Sequence, residues 1–98
     1  MNYLKYYDIS EEEIKELKDR FNERIINFLE ENEIFIREKL DFLKKQNYKI
    51  YPILENNIKI FLEIMPELEK KMKKMEEKKF SKKQIQMILM NEILYDKI

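Results

Sequence analysis

Residues 10–46 read SEEEIKELKDRFNERIINFLEENEIFIREKLDFLKKQ. An isoleucine or phenylalanine recurs there at every seventh position, namely Ile14, Phe21, Phe28, Phe35 and Phe42. Residues seven apart lie almost above one another on an α-helix, so the repeat predicts one continuous apolar stripe. Ser10 and Glu13 have the spacing of a capping box, which marks a helix start. We therefore expect one uninterrupted helix over residues 10–46, about 50–55 Å long at roughly 1.5 Å per residue.

Two further helices are predicted after this one. Pro52 suits the first turn of a helix, and apolar residues spaced by threes and fours then continue to residue 78. Pro66 falls inside that pattern, and a proline in a helix interior removes a hydrogen bond, so we expect either a kink near residue 66 or two shorter helices that meet there. Ser81 and Gln84 repeat the capping-box spacing, which predicts a third helix over residues 82–96.

Composition favours the same fold class. The chain of 98 residues lacks glycine, valine and threonine, so common hairpin turns and much of the strand propensity are missing. The prediction is one all-α domain: a long amphipathic N-terminal helix, a proline-kinked antiparallel second helix and a short third helix. This arrangement is a helical hairpin or three-helix bundle. Residues 1–9 are expected to be a lead-in that folds back over one end of the bundle.

Composition also excludes several kinds of chemistry. The chain has no histidine, cysteine or glycine, so it cannot build a Ser–His or Cys–His nucleophile, a Cys/His zinc site or a glycine-rich phosphate loop. We expect no catalytic residue, no cofactor and no metal, and hence not an enzyme. The apolar runs are too short and too often broken by charges to span a membrane, so a cytoplasmic protein without membrane contact is expected.

Charge is divided unevenly along the chain. Residues 1–41 carry seven positive and twelve negative charges, whereas residues 42–98 carry thirteen and eight, so the two parts have net charges of −5 and +5. This difference predicts an acidic helix lying against a basic one, within one chain or between two copies.

The third helix is apolar nearly all round. Met87, Met90 and Leu94 form a second apolar side beside its main stripe, and one monomer has only two other helices to cover it. We therefore predict that these three residues form a protein interface and that the chain is a homodimer. Tyr3, Tyr6 and Tyr7 in the lead-in either cover the bundle or serve as a further docking patch.

Eight lysines form a basic segment between positions 70 and 83: Lys70, Lys71, Lys73, Lys74, Lys78, Lys79, Lys82 and Lys83. Such a segment suits an acidic partner or the phosphates of a nucleic acid. In the second case Gln84, Gln86 and Asn91 on the following helix could reach base edges.

The leading functional hypothesis is a small helical module that binds, blocks or bridges a protein partner. Small size and the lack of chemically reactive residues suit an inhibitor or adaptor of the kind encoded by phages and mobile elements. The alternative is a small nucleic-acid-binding regulator that uses the basic segment 70–83.

Overall fold

The computed structural model describes all residues from 1 to 98 and contains helices but no strands. The all-α prediction is therefore confirmed. A 3-10 helix spans Asn2–Tyr7. Eight α-helices follow it: α1 Glu11–Arg20, α2 Glu23–Glu31, α3 Glu33–Lys45, α4 Ile50–Asn56, α5 Lys59–Leu62, α6 Met65–Glu77, α7 Lys82–Leu89 and α8 Glu92–Asp96.

The predicted helix over residues 10–46 is divided into α1, α2 and α3, so the expectation of one uninterrupted helix is wrong. Phe21 and Asn22 are extended, with ψ angles of 148° and 165°, and they end α1. The Asn22 side chain accepts a hydrogen bond from the Ile25 N–H at 3.0 Å and caps α2. Asn32, at φ −124° and ψ 44°, separates α2 from α3. Asparagine side chains compete with the helix for backbone hydrogen bonds, which accounts for both interruptions.

The second and third predicted helices are divided in the same way. The segment expected as one kinked helix forms α4, α5 and α6, and residues 82–96 form α7 and α8. Pro66 lies in the first turn of α6, where a missing N–H leaves no hydrogen bond unmade. The expected kink is therefore wrong, whereas the alternative of two helices meeting near residue 66 is confirmed, with the break between them at Glu63 and Ile64.

Helix α3 occupies the centre of the molecule. It contacts the 3-10 helix and also α2, α4, α5 and α6. Its residues Ile36, Leu40 and Leu43 have no exposed surface. The molecule measures 36 × 22 × 22 Å, shorter than an unbroken helix of residues 10–46 would be. Short helices around α3 therefore replace the three helices of the predicted bundle.

Both predicted capping boxes are present. Ser10 accepts a hydrogen bond from the Glu13 N–H and Glu13 accepts one from the Ser10 N–H, and the same exchange joins Ser81 to Gln84. These starts of α1 and α7 are the places where local side-chain chemistry alone decides the backbone.

The lead-in packs against the chain itself. Leu4, Tyr7 and Ile9 are buried, and the 3-10 helix that holds the first two contacts α3. The Tyr3 hydroxyl donates a hydrogen bond to the Leu29 carbonyl at 2.7 Å. Burial of these side chains holds the N-terminal segment on the core.

Candidate protein-binding surface

Helices α7 and α8 form a hairpin with one buried face. Ile85, Leu89 and Tyr95 are buried and belong to the core. Two polar contacts add to them: the Asn57 amide donates to the Leu89 carbonyl at 3.0 Å, and Gln86 exchanges two hydrogen bonds with the backbone of Lys49. The inner face of the hairpin is thus fixed to the rest of the molecule.

The outer face of the same hairpin is apolar and open to solvent. Met87 is 60% exposed, Ile93 69% and Leu94 44%. Met87 and Leu94 line a groove of about 210 Å³ together with Phe80, Gln84 and Ile88. We name this feature the Met87 groove. An exposed apolar surface with an adaptable methionine side chain is typical of a protein-binding site.

Two of the three residues predicted as an interface on this helix share the Met87 groove. The third, Met90, is half-buried and packs against the core. In a continuous helix residues 89 and 93 share a face, so Ile93 would lie on the same side as the buried Leu89. The break at Met90 and Asn91 interrupts that phase, and Ile93 lies in the open.

Three exposed lysines are close along the chain to residues that line the Met87 groove. Lys83 lies one helical turn before Met87 on the same side of α7, and Lys97 follows Leu94 by three residues. Lys79 lies next to Phe80 in the preceding turn, where its φ angle is 58°. The only carboxylate in α7 or the first turn of α8 is Glu92. The groove therefore has an apolar lining with exposed lysines near it in the chain.

The basic segment does not act as one surface. The Lys71 amine donates to the Tyr95 carbonyl at 3.0 Å, and the Lys74 amine donates to the Ile98 carbonyl at 3.2 Å. The other six lysines are exposed, namely Lys70, Lys73, Lys78, Lys79, Lys82 and Lys83. Two of the eight thus hold the C-terminus against α6.

The three amides expected to reach base edges are engaged within the chain. Gln84 accepts from the Ser81 N–H at 2.8 Å, and Asn91 accepts from the Leu94 N–H at 3.1 Å. Both the oxygen and the nitrogen of the Gln86 amide bond the backbone of Lys49. A base contact would require Gln86 to give up structural hydrogen bonds, whereas Gln84 and Asn91 use only their amide oxygens and keep their amide nitrogens available.

Of the three lead-in tyrosines, only Tyr6 is open to solvent. It is 64% exposed, with the Lys44 amine 4.3 Å from its ring centre. Tyr7 is 4% exposed. Its hydroxyl donates a hydrogen bond to the Asp41 carboxylate and accepts one from the Arg37 guanidinium. Burial of the hydroxyl is the main cause that raises the pKa of Tyr7, and the hydrogen bond to Asp41 raises it further. Tyr7 and the half-buried Tyr3 thus contribute to the core, and the predicted patch of three tyrosines is reduced to one.

A buried lysine, which sequence reasoning missed, lies between α3 and the end of α5. Lys39 has no exposed surface, and its amine donates to the Glu63 carbonyl and lies 3.2 Å from the centre of the Phe35 ring. Burial lowers the pKa of Lys39 to about 8. The available signal was its position four residues after Phe35 and directly before Leu40, within the apolar stripe. Because the amine is enclosed, its role is in packing and not in chemistry on a substrate.

A further exposed apolar residue, Ile34, lies at the start of α3, away from the Met87 groove in the chain. It is 86% exposed, the highest value of any large apolar residue in the chain. It lines a shallow depression of about 650 Å³ with Asn32, Phe35 and three carboxylates, Glu31, Glu33 and Glu38. We name this feature the Ile34 surface. It combines an apolar side chain with an acidic surrounding.

Comparisons with protein-family models, curated proteins and solved structures found no match to this chain. None of the helices has both the length and the apolar composition of a membrane span. No group of three or more Asp or Glu side chains is arranged to hold a metal ion.

Proposed function

We propose that this chain is a protein-interaction module that binds its partner through the Met87 groove. The observation that carries the proposal is the pair of faces on the α7–α8 hairpin: one is fixed by buried side chains and hydrogen bonds, and the other leaves Met87 and Leu94 exposed at the Met87 groove. A rigid backing with an apolar front is the arrangement that lets a surface bind without first having to fold.

The module acts by occupying or bridging a surface of its partner. An apolar groove binds by excluding water, and methionine adapts its shape to the partner more readily than a branched side chain does. Lysines close to the groove in the chain favour a partner with acidic groups beside its apolar residues and raise the rate of encounter. Binding and blocking both follow from contact alone.

Nucleic-acid binding remains the second candidate, because seven of the eight lysines of the basic segment are exposed on α6, α7 and the turn between them. With both amide atoms of Gln86 engaged inside the chain, this candidate relies on phosphate contacts from the lysines. Such contacts are independent of base sequence and weaken steeply as salt is raised.

Site-specific photo-crosslinking in cells that naturally produce the chain tests the proposal. A photoreactive residue at position 87 should yield a discrete protein adduct, because this position lies in the groove. The same residue at position 73, on exposed α6, is the matched control and should yield none. Equal labelling from both positions, or no adduct from position 87, would contradict the proposal.

A gel shift with generic duplex and single-stranded nucleic acid separates the two candidates. We expect no binding at physiological salt. Tight binding that is lost when Lys73, Lys78 and Lys79 are changed to glutamate, with the circular dichroism spectrum unchanged, would favour the nucleic-acid candidate.

A further inference from the structure

We propose that the Met87 groove of one copy receives the Ile34 surface of a second copy of this chain. The inference rests on the proposed function, because it uses the same groove and names its partner. Two observations carry it. The groove is lined by apolar residues that have exposed lysines close to them along the chain, and the Ile34 surface combines apolar residues with three carboxylates.

The charges of the two surfaces are complementary. Lys79, Lys83 and Lys97 lie close to groove residues in the chain, and all are exposed. On the Ile34 surface, Glu33 already pairs with Arg37 at 3.3 Å, whereas Glu31 and Glu38 form no ion pair within the chain. Two carboxylates are therefore free to meet lysines of another copy. Such pairing fixes orientation and favours the correct partner over others.

The apolar parts also correspond. Ile34 presents most of an isoleucine side chain to solvent, and the groove offers Phe80, Met87, Ile88 and Leu94 around a space of about 210 Å³. Inserting the first into the second removes apolar surface from water on both copies. This contact covers the most exposed apolar residue of the chain together with its main apolar groove.

Pairing two Met87 grooves face to face would bring the same lysines together. A symmetric contact through one patch places each residue of that patch near its own copy, so Lys83 would approach lysines of the partner. Like charges brought together across an interface are unfavourable. The acidic Ile34 surface removes this conflict, because the lysines then face carboxylates and not other lysines.

Each copy carries both surfaces, so a reciprocal pair forms the contact twice. A stable interface buries about 800 Å² on each partner. That area is roughly one eighth of the 6366 Å² that this chain exposes. Two contacts per dimer reach such an area more readily than one small groove does. We expect a closed dimer in which each copy both donates Ile34 and receives it.

Sedimentation equilibrium of the full chain tests the pairing. Wild type should be a dimer at micromolar concentration. Ile34→Ser and the double change Met87→Glu with Leu94→Lys should each raise the dissociation constant by about tenfold or more, because each removes one side of both contacts. Asn27→Ser, at an exposed position of neighbouring α2, is the control for Ile34→Ser and should leave the constant unchanged.

Charge reversal tests which surfaces meet. Glu31→Lys near the end of α2 and Lys83→Glu in the first turn of α7 both agree with the helix dipole, so neither should impair folding. Each change alone should weaken the dimer, and the two together should restore it, since the paired charges are then exchanged. A double variant that dimerises no better than the single ones would overturn the pairing.

A wild-type chain that is monomeric at micromolar concentration would also overturn this inference. The proposed function has its own readout in that case: a crosslink from position 87 to a different protein would support it, whereas the absence of any crosslink would not. The two failures are therefore distinguishable.

Discussion

At the scale of single residues, the seven-residue repeat correctly identified the side of the helices that faces the core. It did not identify the side chains at the centre of that core. Phe21, Phe28, Phe35 and Phe42 are all half-buried, whereas Leu17, Leu29, Ile36, Leu40 and Leu43 are fully buried. Phe28 and Phe35 meet edge to face with their ring centres 5.8 Å apart. The rings thus border the core, and the aliphatic side chains between them fill it.

Neighbouring substitutions in α2 should separate these two roles. Leu29→Ala should lower the free energy of unfolding by about 2–5 kcal/mol, because it leaves a cavity in the core. Phe28→Ala should cost less than the roughly 3–5 kcal/mol of a fully buried phenylalanine, because water already reaches part of the ring. Urea denaturation measures both, with exposed Asn27→Ala as a control within about 0.5 kcal/mol. A larger loss for Phe28→Ala than for Leu29→Ala would contradict this assignment.

The buried amine of Lys39 leads to a prediction about how the free energy of unfolding depends on pH. Its pKa is about 8 in the folded chain, against the ordinary value of 10.5. Between these values the unfolded chain binds more protons, so the free energy of unfolding should rise as the pH increases from about 8 to 10. Tyr95 and Lys59 have raised pKa values and act in the opposite direction, above pH 10.

The change Lys39→Met should abolish this rise, because it removes the buried amine. Exposed Lys18→Met is the matched control and should retain it. Urea denaturation at pH 7.5, 8.5 and 9.5 provides the comparison. An unchanged slope in Lys39→Met would mean that the amine is hydrated in the folded chain.

At the scale of helices, what the sequence predicted correctly came from side chains that act locally. The capping boxes at Ser10 and Ser81 required only residues three positions apart. The breaks at Asn22, Asn32, Asn57 and Asn91 could have been suspected, since asparagine favours caps, but each lies within an uninterrupted apolar pattern. Whether such an asparagine ends a helix depends on what the next segment buries, and that is decided by distant residues.

Asn57 shows how one break also joins two parts of the fold. Its side chain is buried, and it donates to the carbonyl of Leu89 in the last turn of α7, where helix carbonyls lack partners. Asn57→Ala should therefore cost about 1–3 kcal/mol of unfolding free energy. Its neighbour Asn56 donates only to the Pro52 carbonyl at the exposed side of α4. Asn56→Ala should lower the unfolding free energy by less. Equal losses for the two variants in thermal denaturation would show that the buried hydrogen bond of Asn57 stabilises the fold no more than the exposed one of Asn56.

At the scale of the whole molecule, the sequence indicated where the candidate surface lies but not what surrounds it. Met87 and Leu94 were found because they left α7 and α8 without an adequate polar face. Ile34 was not found, because the predicted continuous helix placed it among ordinary polar positions next to Phe35. Only the break at Asn32 and the packing of α3 show that it lies alone among carboxylates.

The exposure of Met87 also makes the Met87 groove sensitive to oxidants. Methionine sulfoxide is polar, and methionine sulfoxide reductases convert it back. Met87 is 60% exposed, whereas Met72 and Met75 are 2% and 0% exposed, so mild peroxide should modify Met87 well before those two. Peptide mass spectrometry would follow the order of modification, and similar rates at all three positions would contradict it. A polar sulfoxide in the groove should abolish binding while the helical fold persists, and enzymatic reduction should restore it.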